Sequence, residues 1–165
     1  LQQRKADEAI AQFQRAAQLE PKSAEALSAL GQALLGAGKN EEAERALRAG
    51  NQLRPEPQSM TALGFALARQ KKSEPALAVF DQVLAEDGRA ASALYGAGMA
   101  SEDLGKAERA RGYYQRLLAL PAEGAQRQLV LDLQKEALGR ATSPSPAPPA
   151  SAAAGPAIGP PAPGR

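Results

Sequence analysis

Chemistry would be sought first at Glu102 and Asp103, because two neighbouring carboxylates in a cleft can divide acid and base roles once their pKa values are pushed apart. No other reactive group converges on them. The chain holds no His and no Cys, which removes imidazole and thiolate metal ligands, thiol nucleophiles and the commonest general base together. Gly36, Gly38, Gly96 and Gly98 follow no strand pattern and do not read as a phosphate loop. No catalytic, metal-binding or cofactor-binding residue is therefore expected, and Glu102 reads instead as a contact for a basic group on a partner.

The other charged and aromatic clusters have plainer readings. Glu41, Glu42 and Glu44 fall in the first turn of an expected helix, where the N-terminal dipole favours negative charge. Lys71-Lys72, and Arg109 with Arg111, stand near Glu74 and Glu108 and read as surface charge. Tyr113 and Tyr114 suggest stacking, but Tyr114 shares the phase of Phe13 and Phe80 and belongs to the core, which leaves Tyr113 unassigned. After residue 139 only Arg140 and Arg165 are charged, so residues 1–139 balance 18 acidic side chains with as many basic ones. No basic stripe with interleaved aromatics attracts nucleic acid or anionic lipid. No apolar run approaches a membrane span and no cleavable signal is visible at the start, so membrane insertion is not expected. Cytoplasm and periplasm both stay open, as does the redox compartment in a chain without cysteine.

The elements that must position these residues are helices. Ala and Leu carry the burial, and the β-branched residues are few. A period of about 34 residues runs through the chain. Ala9, Ala43, Ala76 and Ala110 recur at this spacing, with Phe13, Leu47, Phe80 and Tyr114 one helical turn after each. Leu30-Gly31, Leu63-Gly64 and Ala97-Gly98 recur in the preceding segments, and Pro21 and Pro55 close two units. Helices are expected at 6–19, 24–37, 40–53, 57–70, 73–86, 90–104 and 107–119, and a last one at 125–138 with Leu129, Val130, Leu133 and Leu138 on a stripe. The small residues remove side chains where two antiparallel helices approach, and the bulky ones fill the flanks.

These residues resemble the tetratricopeptide repeat, a helix-turn-helix with a Leu-Gly pair in its first helix, Ala and then an aromatic in its second, and a closing proline. The best unit is Ala24–Pro55, in which Leu27, Leu34 and Leu47 replace the family's aromatics. Gly88 stands where a third closing proline belongs, and Pro121 sits one residue early. The resemblance implies an all-α, right-handed superhelical solenoid. Its expected parts are the second helix of a truncated repeat (1–22), repeats at 23–56, 57–89 and 90–124, a capping helix (125–139) and a Pro/Ala-rich tail (140–165). Leu1-Gln2-Gln3-Arg4 reads as the end of a preceding first helix. Eight of the 13 prolines lie in the tail, which is expected to be disordered or locally polyproline II.

The resemblance also implies peptide or helix binding on the concave surface lined by the first helices. By register, that groove takes Glu25, Ser28, Gln32 and Leu35, then Gln58, Thr61, Phe65 and Arg69, then Ser92, Tyr95, Met99 and Glu102. Phe65, Tyr95 and Met99 form an apolar strip suited to a partner's side chains, or else pack on a neighbouring repeat or the cap. The Lys and Asn clamp of chaperone-tail binders is absent, its positions reading Ser28, Gln32, Thr61, Phe65, Tyr95 and Met99. The implied function is a non-catalytic scaffold for a protein or peptide partner. The Ala- and Arg-rich, Cys-free composition looks bacterial, and such proteins resemble pilus-assembly, secretion or envelope factors. The rival reading is a regulatory or substrate-recruiting region of a larger enzyme whose catalytic domain lies elsewhere. Self-association through an open N-terminal edge of Ile10, Phe13 and Ala17 is a third reading. Docking of the chain's own tail in the groove is left open, since Ala-Pro segments lose little freedom on binding.

Overall fold

The computed structural model describes residues 2–124 and 127–142, and among the described residues it is entirely helical. The helices are α1 (Gln2–Leu19), α2 (Ala24–Gly36), α3 (Asn40–Leu53), α4 (Pro57–Arg69), α5 (Ser73–Glu86), α6 (Ala91–Asp103), α7 (Ala107–Leu118) and α8 (Arg127–Thr142). Two expectations change. Residues 2–5 are part of α1 itself rather than the end of a preceding helix. At the other end α8 runs on to Thr142, so Arg140 belongs to the cap and not to the tail. Residues 143–165, the rest of the expected tail, lie outside the described residues, as do Leu1, Ala125 and Gln126. No described helix is long and apolar enough to cross a membrane.

Local chemistry sets the ends. Ser23 caps α2 by accepting a hydrogen bond from the Ala26 amide at 3.2 Å, and Pro57 opens α4 where its missing N–H has no helical partner to lose. The first helix of each unit ends in the same left-handed turn. In the second unit the Lys39 amide reaches back to the Leu34 carbonyl and the Gly38 amide to that of Leu35. The pattern recurs with Lys72 to Leu67 and Lys71 to Ala68, and again with Lys106 to Ser101 and Gly105 to Glu102.

The hairpins then stack. Each helix packs on the next, and α2, α4, α6 and α8 also touch in series, whereas α3, α5 and α7 do not touch one another among the described residues. A row whose members meet lies on the inside of the curvature, so the first helices line the concave face. The cap α8 stands in that row where a further first helix would stand. Close approach within hairpins depends on the glycines. A Cβ on Gly64 would lie 2.6 Å from the ring of Phe80, and Gly31 and Gly98 face Leu47 and Tyr114 in the same way. Phe80 is wedged between Gly64 of its own unit and Gly96 of the next, with the Phe65 ring edge-on at 5.1 Å. Its complete burial contributes about 1.5–3 kcal/mol. Phe13, the matching residue of α1, is 37% exposed, while Ile10 is buried, so Ile10 is withdrawn from the expected N-terminal edge and Phe13 stays on it.

Candidate peptide-binding groove

The side chains that helical phase turns inward from α2, α4 and α6 enclose a recess of about 350 Å³. Gln32 and Leu35 come from α2, Thr61, Phe65 and Arg69 from α4, with Gln58 and Ser92 at the far end. Leu35 and Phe65 are half-buried and pack against the core with one face, leaving the other toward the recess. Amides and hydroxyls surround them. Thr61 is turned back, its Oγ1 donating to the Pro57 carbonyl at 2.7 Å. Arg69 is the one cation of the lining, and its Nη1 donates to the Leu35 carbonyl at 2.8 Å. That bond ties α4 to the end of α2 and gives the Leu35 carbonyl a second donor beside the Gly38 amide. The guanidinium keeps further N–H groups.

The other expected lining residues fall outside this recess. Ser28 is buried and within 3.1 Å of the Ser59 hydroxyl across the α2–α4 contact, where it holds two units together. Met99 is half-buried against the core. Tyr95 is only 8% exposed. The Arg140 guanidinium of α8 lies 5.8 Å from its ring centroid, and burial, then the neighbouring Glu136 carboxylate, raises its hydroxyl pKa. Glu102 already has a basic partner, for Arg140 Nη1 sits 2.7 Å from its carboxylate and the Tyr114 hydroxyl donates to it at 2.9 Å. The cap thus engages the inner face of the fourth unit. The recess between the second and third units is left open. Arg140 escaped the sequence reading because its role depended on α8 continuing past Gly139; the Glu136–Arg140 spacing of one helical turn was the available signal.

Arg111 pairs with Glu108 on the exposed face of α7, as surface charge, but other charged groups form seams between units. Lys72 pairs at 2.8 Å with Glu44 of the preceding unit, not with Glu74. Gln70 and Arg48 also donate to Glu44, each at 2.9 Å. Burial alone would raise the Glu44 pKa, but the donors Lys72, Arg48 and Gln70 hold it down to about 2. Glu44 is therefore more than a solvated helix start. At the next seam the Tyr113 hydroxyl donates to Asp81, which also takes Arg109 at 2.5 Å, so Tyr113 is structural. Asp103 faces Lys71 at 3.6 Å and accepts from Ser73 at 3.3 Å.

Two family models, each described as tetratricopeptide repeat, match residues 1–63 and 61–125. A search of curated protein sequences finds no match. Among solved structures the fold is similar to the crystal structure of MamA, at 19% identity, over 82% of this chain and 88% of that one, with a TM-score of 0.67. It is also similar to the MamA RS-1 ArsTM double mutant, at 21% identity, over 81% and 84%, with a TM-score of 0.66. A tetratricopeptide repeat protein from Parabacteroides merdae aligns at 18% identity, over 82% and 54%, with a TM-score of 0.62. At these identities the likeness speaks to the fold alone.

Proposed function

The chain belongs to the tetratricopeptide-repeat family, and from that premise we propose that it is a non-catalytic scaffold holding an extended segment of a protein partner in the recess between α2, α4 and α6. The observation that carries this is the half-exposed Leu35–Phe65 floor inside a rim of donors and acceptors whose one charge is Arg69. Such a floor takes small apolar side chains, while Gln32, Gln58 and Ser92 suit the carbonyls and amides of an extended backbone. No carboxylate lines the recess, so a lysine-rich segment gains nothing there, and Arg69 favours neutral or acidic sequence. Catalysis is no part of the proposal. Glu102 is held by Arg140 and Tyr114, and Asp103 by Lys71 and Ser73, which leaves neither carboxylate placed for acid–base work. A place in a pilus, secretion or envelope assembly is the finer form of the same reading, and it rests on the resemblance.

Capture of partners by the immobilised chain tests the reading, with Phe65→Glu and Thr61→Lys variants checked for unchanged helicity. Substitution at Tyr95 is avoided because it would disturb the cap. The expected result is a partner held by the wild type and lost from both variants. Equal capture by all three would place the binding surface elsewhere and overturn the groove assignment.

A further inference from the structure

We infer that the partner segment held in the recess carries an acidic side chain two residues from the apolar one seated on the Leu35–Phe65 floor, and that Arg69 selects it. The inference rests on the scaffold reading and names the chemistry of its partner.

Arg69 is a wall of two cavities. It lines the apolar recess, and it lines a second, polar cavity of about 920 Å³ beside the turn between α2 and α3. A segment leaving the recess at this end therefore passes the guanidinium and continues over polar surface, so an internal side chain, and not a chain end, meets the charge. The charge is uncommitted. Arg69 Nη1 donates to the neutral Leu35 carbonyl at 2.8 Å, and among the described residues no carboxylate pairs with it. Arg48, Arg109 and Arg140, by contrast, are each held by an acid of the protein. Glu44, which lines the second cavity, is already taken by Lys72, Arg48 and Gln70. The other two carboxylates there, Glu41 and Glu42, are matched in number by Lys39 and Arg45.

Chemistry and spacing then set the sequence. The guanidinium keeps N–H donors for a ligand, and a carboxylate is the acceptor that matches them in charge and in planar geometry. Phe65 and Arg69 share one face of α4 and lie one turn apart, about 6 Å along the axis. An extended chain returns to the same face every second residue, about 6.6 Å on. An apolar side chain over Phe65 therefore brings the side chain two positions away to Arg69. The residue between them points off the floor, which leaves its type free. Arg69 also lies outside the clamp positions of chaperone-tail binders, which fall on Thr61 and Phe65 in this helix.

Two end-capped peptides test this, Ala-Asp-Ala-Leu-Ala-Asp-Ala and the same sequence with Asn in place of both Asp. The symmetric design serves either chain direction, and the caps remove terminal charge. Each is titrated into the isotope-labelled chain and followed by NMR at the Leu35, Phe65 and Arg69 amides. The Asp peptide is expected to bind about fivefold tighter than the Asn peptide, with the difference shrinking as salt rises. It should vanish in Arg69→Gln, which keeps a donor for the Leu35 carbonyl and is checked for unchanged helicity. Equal binding of the two peptides at the floor, or a preference that survives Arg69→Gln, overturns the inference and leaves the scaffold reading standing. If neither peptide perturbs the floor the inference falls as well, and the scaffold reading falls with it only where partner capture is also indifferent to Phe65→Glu.

Discussion

Lys71 has a φ of 62° at the turn position where the other two hairpins place Gly38 and Gly105. A side chain there holds its Cβ close to the backbone carbonyl, at a cost of about 1–2 kcal/mol relative to glycine. The compensation is small, because the Lys71–Asp103 pair spans 3.6 Å and the lysine side chain is 80% exposed. Glycine also adds freedom to the unfolded chain, which offsets part of the relief. Lys71→Gly is therefore expected to raise stability by about 0.5–1 kcal/mol, read as a higher midpoint in thermal or urea unfolding. A lower midpoint would mean that the lysine makes a compensating interaction with the neighbouring unit. Ser101 shows the opposite economy of design: its hydroxyl is wholly buried without a hydrogen-bond partner, where the two preceding units place Leu34 and Leu67.

At the scale of the helix, one atom decides whether a hairpin closes. Gly64 on α4 meets the Phe80 ring on α5, and the added Cβ at 2.6 Å leaves the ring nowhere to go, since Gly96 of α6 bounds its other side. Gly64→Ala is expected to destabilise the protein by about 1–3 kcal/mol by overpacking. Pairing it with Phe80→Leu should recover part of that loss, and the double-mutant cycle would give a coupling of about 1 kcal/mol or more. Strict additivity of the two changes would show that the helices simply separate instead of sharing one contact. The same geometry explains why Phe65 serves both core and groove. Its ring meets that of Phe80 in a T-shaped contact and also borders the recess, so the groove floor is packed directly on the hairpin core.

At the scale of the molecule, stability is distributed unit by unit, since among the described residues contacts run only between neighbours in the stack. All three tyrosines lie in the fourth unit. Burial, followed by the carboxylates Glu136, Asp81 and Glu102 respectively, raises the pKa of Tyr95, Tyr113 and Tyr114 above the usual 10.0. A raised folded-state pKa keeps its stabilising effect below pH 10 and loses it as pH climbs toward the folded value. Above pH 10 the fourth unit and cap are therefore expected to open before the second and third units. Ultraviolet titration should show the tyrosines ionising together with that opening, while hydrogen exchange in α2 to α5 stays slow. Independent ionisation near pH 10 with helicity intact would overturn this.

Much of this architecture was legible before any coordinates, because the information is local. Helix ends follow from capping groups and turn residues, and the glycine-to-bulky register follows from contacts inside a single hairpin that recur with every unit. Leu47, Phe80 and Tyr114 were placed in the core on phase alone, and they are there. The inward row of first helices was implied by the family resemblance; of the lining residues it gave, Gln32, Leu35, Thr61, Phe65 and Arg69 border one recess, while Tyr95, Met99 and Glu102 do not. What only the tertiary structure decided is which groups meet across the stack. Glu44 took Lys72 and Gln70 from the next unit, Ser28 was buried against Ser59, and Arg140 crossed to Glu102 and Tyr95. Those pairings depend on the rotation between units and on where α8 comes to rest. Neither leaves a periodic trace in a single chain, because each is made by side chains about 26 to 45 residues apart that share no local geometry.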